Sequence, residues 1–318
     1  MQSYKSWRSY QKRLQKREAR KRWVQRSLWA LTITGFAFLL VWTVKGGVLS
    51  KLWEGTSHVT RECEGRIAPT TTLSREELKE ILDYETLFQA EGHEIAFTHR
   101  GRSFTAETTL DSGFQNYMAQ RIGQARSLMV GFVALDPATG HVLSMVEANN
   151  LDGTQKVCVS SCFPAASVFK IVAAAAAIDG RGISPDTKLA YNGRSHTLYK
   201  SQLTNQTNRY TNRVTLKDCF AKSINPAFGK LGIFELRKEL LESYARRFGF
   251  NEAIDFELPV ELSRISVADD DYHWAEIACG FNRETSISPL HGALLAGTII
   301  NDGKLVSPVI VDFVVDSQ

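Results

Sequence analysis

The 318-residue chain has no Cys, His or acidic cluster with the spacing of a zinc site, no Gly-rich phosphate loop and no internal repeat. These absences remove the common metal, nucleotide and solenoid readings, so no cofactor is expected. Cysteine is scarce, with only Cys63, Cys158, Cys162, Cys219 and Cys279. The odd count excludes complete pairing within the chain. Cys158 and Cys162 stand four apart and suit either a disulfide or two small apolar-type side chains. Acidic residues are nearly missing from positions 1–26, where Glu18 stands among ten Lys or Arg. That stretch nets +9, which leaves −5 for the remainder of a chain whose total is +4. Charge of either sign is absent from positions 27–44.

A basic arm alone can signal nucleic acid. The apolar run that follows at once favours a membrane, and no nucleic-acid partner is expected. Residues 27–44, at about 1.5 Å rise each, span about 27 Å, close to a hydrocarbon core. Trp29 and Trp42 sit near its two ends, where indole rings prefer the interface. A cleaved signal peptide would have a shorter basic region and a small-x-small site after Val44. The expectation is a single-pass anchor, with residues 1–26 as a cytoplasmic arm and the remainder outside. The cysteines beyond the anchor would then meet an oxidising compartment.

Residues 45–104 read as a linker and a small juxtamembrane region. Ser74 with Glu77 forms a capping-box pattern opening a helix to about Ala90. Residues 95–109 alternate in strand fashion around His99-Arg100-Gly101-Arg102. The main domain is placed at 105–318. A helix is expected over Phe114–Ala125, then a hairpin of Met129–Leu135 and His141–Val146 around Asp136-Pro137-Ala138-Thr139-Gly140. The run from Ser167 to Ile178 is apolar on nearly every face and should be an internal helix. Polar loops or short strands fill 180–213. Helices follow over Thr215–Lys222, from Pro226, over Phe234–Phe248, and from Ser288 to Ile300, before a strand-like Val306–Val315. A hairpin, many helices and a late strand indicate an α+β domain with helices packed on an antiparallel sheet.

The Ser-x-x-Lys pattern occurs at Ser9…Lys12 and Ser167…Lys170. The first lies in the basic arm and is chance. Ser167 opens a buried helix, and Lys170 is one turn on along the same face. An interior lysine loses solvation, which lowers its pKa. A neutral amine beside a hydroxyl can take its proton, and the alkoxide can attack a carbonyl. The competing reading is Ser167 as a helix cap with Lys170 reaching solvent. Ser223-Ile224-Asn225 lies between two helices, 56 residues after Ser167. Ordinary capping would also explain it.

The ordered pair Ser-x-x-Lys and Ser-x-Asn resembles the penicillin-binding protein transpeptidase domain and its serine β-lactamase relatives. Thr109-Leu110-Asp111, Ala134–Leu143 and Thr285–His291 through Asn301-Asp302-Gly303 resemble the transpeptidases specifically. The resemblance covers roughly 105–315. It implies peptidoglycan D,D-transpeptidation through an acyl-enzyme on Ser167. Lys170 would be the base, Ser223 a proton relay, and Asn225 the group that orients Lys170 and binds the substrate amide. Stem peptides would be substrates and β-lactams inhibitors, on the periplasmic side of the cell membrane. Cell-wall synthesis or division proteins would be partners.

The family's third motif, Lys-Thr/Ser-Gly on a strand, is absent from the sequence. That strand supplies one of two backbone donors for the oxyanion, a loss worth on the order of 10²–10³ in rate. The expectation is therefore an incomplete chain, cut before that strand. The alternative is a non-catalytic relative acting as a scaffold, or as a sensor for stem peptides or β-lactams. The stretch between Val44 and Thr109 is too short for a glycosyltransferase domain, so monofunctional activity is expected.

Overall fold

The computed structural model describes residues 73–316, except 83, 85–86, 88–92 and 152–155. The basic arm at 1–26, the apolar run at 27–44, the linker up to residue 72 and Cys63 lie outside the described residues. Among the described residues, no helix is long and apolar enough to cross a membrane.

The Ser74 box forms as its spacing predicts. Its hydroxyl accepts from the Glu77 N–H, and the Glu77 carboxylate accepts from the Ser74 N–H. The helix it opens, α1 (Arg75–Ile81), breaks where Leu82 turns extended; Tyr84 and Leu87 are again helical, and residues 83, 85–86 and 88–90 of the expected helix lie outside the described residues. Strands β1 (Glu94–His99) and β2 (Arg102–Thr108) pair antiparallel. Arg100 and Gly101 between them have φ of 49° and 77°, the two-residue turn whose twist matches paired strands. The far edge of β2 takes β9 (Val311–Asp316), also antiparallel. The late strand is thus shorter than expected and returns to the start of the described chain.

Helix α2 (Ser112–Ile122) begins earlier than expected because Asp111 caps it, accepting from the Phe114 N–H. Strands β3 (Met129–Leu135) and β4 (Val142–Asn149) form the expected hairpin. Its turn is fixed by Asp136, whose carboxylate accepts from the Ala138 and Thr139 N–H groups. Thr109, just past β2, shares its one hydroxyl hydrogen between the carbonyls of Val142 in β4 and Val309 just before β9. The strand pairs are antiparallel, but they form four small sheets among the described residues rather than one. The two-stranded ones are β3–β4, β5 (Phe163–Pro164) with β8 (Ser286–Ile287), and β6 (Lys188–Tyr191) with β7 (Asn212–Thr215).

The helical half is built around the segment 166–180. It runs as a 3-10 turn (Ala166–Phe169), α3 (Lys170–Ala175) and a π turn (Ala176–Gly180). Phe169, Val172, Ala173, Ala176 and Ala177 are buried in one cluster with Phe228, Leu241, Phe250 and Ile277. Complete burial was the expectation. Instead Ile171, Ala174, Ala175 and Ile178 line an open apolar cleft of about 410 Å³ with Leu216, Phe220 and Ile299. Around the segment stand α4 (Leu216–Ala221), α5 (Asn225–Leu231), α6 (Arg237–Arg247) and α7 (Asp271–Cys279). Helix α8 (Pro289–Ile300) is capped by Ser288, which accepts from the His291 N–H, as its Ser-Pro start predicts. The second core cluster joins α1 and β1 to Val142, Met145, Phe256, Leu290 and Ile310. The helix and hairpin at 75–108 therefore share their packing with the main domain's residues. A β hairpin, small antiparallel sheets and helices segregated around one central helix make an α+β fold.

Candidate active site

A 3-10 turn has three residues per turn, so side chains at i and i+3 eclipse. Ser167 and Lys170 stand at that spacing across the Ala166–Phe169 turn, and Lys170 Nζ lies 2.9 Å from Ser167 Oγ. Ser167 is exposed, whereas Lys170 is only 1% exposed. The amine does not reach solvent. It donates to Asn225 Oδ1 at 2.9 Å and to the Cys279 carbonyl at 2.5 Å. The Phe228 ring lies beside it, 5.8 Å from Nζ to the centroid. Burial disfavours the ammonium and pulls the Lys170 amine down to about 8, and the nearby Cys279 opposes that fall. An amine at about 8 supplies the neutral form near neutral pH, which an ordinary lysine does not.

Ser223 stands between α4 and α5 with φ of 51°, a left-handed backbone that costs a non-glycine residue about 1 kcal/mol or more. The turn is held by the Ile224 N–H donating to Cys219 and the Asn225 N–H donating to Ser195. That conformation places Ser223 Oγ 2.9 Å from Ser167 Oγ, with Ser223 as donor. Asn225 is buried at the start of α5, ahead of Pro226.

The structure thus brings all four expected residues together, and it separates the competing explanations. Ser167 does not cap: the segment it belongs to has Ala165 at its N-cap and no side-chain capping bond. Neither Ser223 nor Asn225 caps α5, whose N-cap is Ile224, again with no side-chain bond. Ser167 and Asn225 both meet the Lys170 amine, and Ser223 meets Ser167. One member was not among the expected residues. The Cys279 carbonyl is the amine's third partner, and the available signal was Asp270 as a cap and Gly280 as a stop around α7.

Cys158 and Cys162 are both free thiols, as are Cys219 and Cys279. Burial pushes the Cys158 thiol up, out of the reactive range, and it donates to the Val146 carbonyl at 3.3 Å.

The described geometry is an exposed hydroxyl hydrogen-bonded to a buried amine and to a second hydroxyl, in an α+β fold. The family model for the penicillin binding protein transpeptidase domain matches residues 130–318, more than half of the chain. The chain belongs to that family. It is 29% identical over 235 residues to penicillin-binding protein PbpB of Mycolicibacterium smegmatis, covering 65% of this chain and 34% of that protein. It is 27% identical over 219 residues to the peptidoglycan D,D-transpeptidase PbpA of the same species, covering 57% and 42%. Penicillin-binding protein 3 of Mycobacterium tuberculosis, solved with aztreonam, superposes with a TM-score of 0.54 at 27% identity, covering 67% of this chain and 50% of that one. The chain therefore spans about a third to two fifths of the length of the curated relatives named here.

Proposed function

We propose that this chain carries the acylation half-site of a membrane-anchored peptidoglycan D,D-transpeptidase, with Ser167 as nucleophile. The supporting observation is the buried Lys170 amine, 2.9 Å from Ser167 Oγ and 2.9 Å from Asn225 Oδ1. In the neutral state Lys170 takes the Ser167 hydroxyl proton. The oxygen attacks the penultimate D-Ala carbonyl carbon of a stem peptide. The tetrahedral adduct collapses, the C–N bond breaks, and the leaving D-Ala amine receives the proton from Lys170 by way of the Ser223 hydroxyl. The amine of a neighbouring strand then attacks the ester, gives a proton back along the same route, and restores Ser167. Asn225 holds Lys170 aimed at Ser167 and offers its amide to the substrate backbone.

Membrane attachment through 27–44, a cytoplasmic N-terminus and a periplasmic catalytic domain belong to the same proposal. So do stem peptides as substrates, β-lactams as inhibitors and cell-wall synthesis or division proteins as partners. The names of the relatives and the aztreonam complex of the M. tuberculosis neighbour support the substrate and inhibitor classes.

The test is labelling of the full chain with a fluorescent penicillin. A stable adduct on the wild type that disappears in Ser167→Ala is the expected result. A wild type that binds penicillin without forming the adduct points instead to a non-catalytic sensor and overturns the acyl-transfer reading.

A further inference from the structure

Helix α7 ends in a specific way. The Gly280 N–H donates to the Ile277 carbonyl at 3.0 Å, and the Phe281 N–H donates to the Glu276 carbonyl at 2.8 Å. Gly280 itself is left-handed, with φ of 69° and ψ of 36°. Two such nested bonds around a left-handed residue satisfy the carbonyls two and three places before the helix end. They leave the last carbonyl, that of Cys279, without a partner from its own helix. Lys170 Nζ takes it at 2.5 Å.

The other side of the same turn touches the nucleophile. A Cβ on Gly280 would lie 1.7 Å from the Ala166 oxygen, 2.2 Å from the Ala166 carbonyl carbon and 3.0 Å from the Ser167 nitrogen. No real side chain has room there. The Ala166 peptide also carries a positive φ, 46°, which alanine does not adopt unaided. Its neighbours hold it in place: the Ala165 N–H donates to the Thr285 carbonyl at 2.7 Å, and the Val168 N–H donates to the Ala165 carbonyl at 3.1 Å. Gly280 closes the remaining side.

Given Ser167 as the acylated hydroxyl and Lys170 as its base, the reading on which this step rests, we propose that the Cys279–Gly280 turn is a positioning element for acylation. One peptide unit fixes the base through the Cys279 carbonyl. The next residue, by having no side chain, fixes the backbone of the nucleophile. The distance between the two reacting groups is set from outside the motif that contains them.

A second helix-ending glycine separates this role from ordinary termination. Gly303 follows α8 with φ of 82°, and a Cβ there would meet nothing within 4 Å. Both glycines cost a similar amount to replace through backbone strain, about 1 kcal/mol. Only Gly280 presses on the site.

The experiment compares Gly280→Ala and Gly303→Ala in the full chain. Gly303→Ala labels Ser167 with fluorescent penicillin at the wild-type rate. Gly280→Ala lowers the first-order acylation rate on the order of 10²-fold, the usual cost of misplacing a reacting group by about 1 Å. Its half-saturating penicillin concentration changes less than about threefold, because ground-state binding is untouched. Should Gly280→Ala fold poorly, the double variant Gly280→Ala with Ala166→Gly lets the 166 carbonyl move aside at little strain. It folds as Ala166→Gly does, yet remains slow relative to that single variant. A further readout needs no acylation. The ¹⁵Nζ resonance of Lys170, assigned by its loss in Lys170→Arg, titrates with a midpoint displaced from wild type by about one pH unit in Gly280→Ala and undisplaced in Gly303→Ala. A folded Gly280 variant with the wild-type acylation rate or the wild-type midpoint overturns the proposal. If the wild type itself forms no adduct, the acyl-transfer reading fails alone, and the nitrogen titration still decides whether the turn positions the amine.

Discussion

Asn225 Oδ1 accepts a hydrogen bond from Lys170 Nζ at 2.9 Å, across 55 positions of sequence. The contact makes Asn225 the side chain that decides where the amine points, since Lys170's other protein partners are the Ser167 hydroxyl and a backbone carbonyl. A carboxamide oxygen does this without adding charge. A carboxylate in the same place would hold the ammonium instead.

Asn225→Asp should therefore raise the Lys170 pKa above its wild-type position of about 8. Acylation of Ser167 in the wild type climbs with pH and levels off above about 8, because only the neutral amine accepts the proton. In Asn225→Asp the whole profile moves to higher pH, and the rate at pH 7 drops by about tenfold for each unit of displacement. Asn225→Ala loses an acceptor that holds the ammonium, so its profile moves the opposite way, to lower pH by about one unit, and its plateau rate falls because the amine is no longer aimed at Ser167. Stopped-flow labelling over pH 6–10 separates the two. Identical profiles in wild type and Asn225→Asp would remove Asn225 from any role at the amine.

Burial of Lys170 has a thermodynamic counterpart. Its folded pKa is lowered from 10.5 to about 8, so the unfolded chain holds the proton more tightly. Stability is then diminished below the folded pKa and recovers as pH rises from about 8 to 10.5, by up to about 3 kcal/mol. Lys170→Met removes the buried amine and keeps most of the apolar stem. Its gain in stability at pH 7 is opposed by about 1–3 kcal/mol for each of the Asn225 oxygen and the Cys279 carbonyl left without a donor, a cost that does not change with pH. The sign at pH 7 is set by the larger of these effects, but the pH trend is independent of it. Wild type gains on Lys170→Met as pH rises from 8 toward 10.5. Urea midpoints at pH 7 and pH 10 measure the difference, and a constant gap between the two proteins would contradict the buried-amine assignment.

Local rules carried the sequence a long way here, and where they failed the cause was contact at a distance. Ser74, Asp136, Ser288 and the Arg100-Gly101 turn do what their spacing predicts because each is satisfied within a few residues. Ser167 and Lys170 were legible for the same reason, since one 3-10 turn aligns them. Ser223 and Asn225 were legible only by the resemblance. From helix physics alone they read as caps, and the fold had to show Ile224 in that place. Cys279 was invisible because its contribution is a backbone carbonyl, which any residue carries. The expectation of a single sheet failed because pairing depends on partners distant in sequence, such as β2 with β9. The open stripe on the segment 166–180 could not be read from its own residues either. Ile171 and Ile178 are as apolar as Val172, and only the surrounding helices decide which of them is covered.

The attachment of α1 to the main domain gives a test far from Ser167. Glu257 is 3% exposed, accepts the Ile310 N–H at 3.1 Å, and is paired with Arg75 Nη2 at 3.0 Å. Burial pushes the Glu257 carboxyl above the usual range, and the backbone N–H groups of Glu257 and Ile310, then Arg75, pull it part of the way back. Arg75→Ala strands a buried carboxylate, at a cost of about 3 kcal/mol at pH 7. The loss of the Arg75–Asp255 bond adds little, because Asp255 is largely exposed. Without Arg75 the folded-state pKa of Glu257 rises further. An acid with a raised folded pKa destabilises the protein once pH exceeds the unfolded value, and that penalty fades as pH falls back toward 4.5. The deficit of Arg75→Ala should thus be largest at pH 7 and small near pH 5. Adding Glu257→Gln to it should recover part of the loss at pH 7 and little at pH 5, as the neutral amide mimics the protonated acid. Chemical denaturation of the three proteins at both pH values settles the matter: a deficit of equal size at pH 5 and pH 7 would mean that Arg75 holds α1 by packing, not by charge.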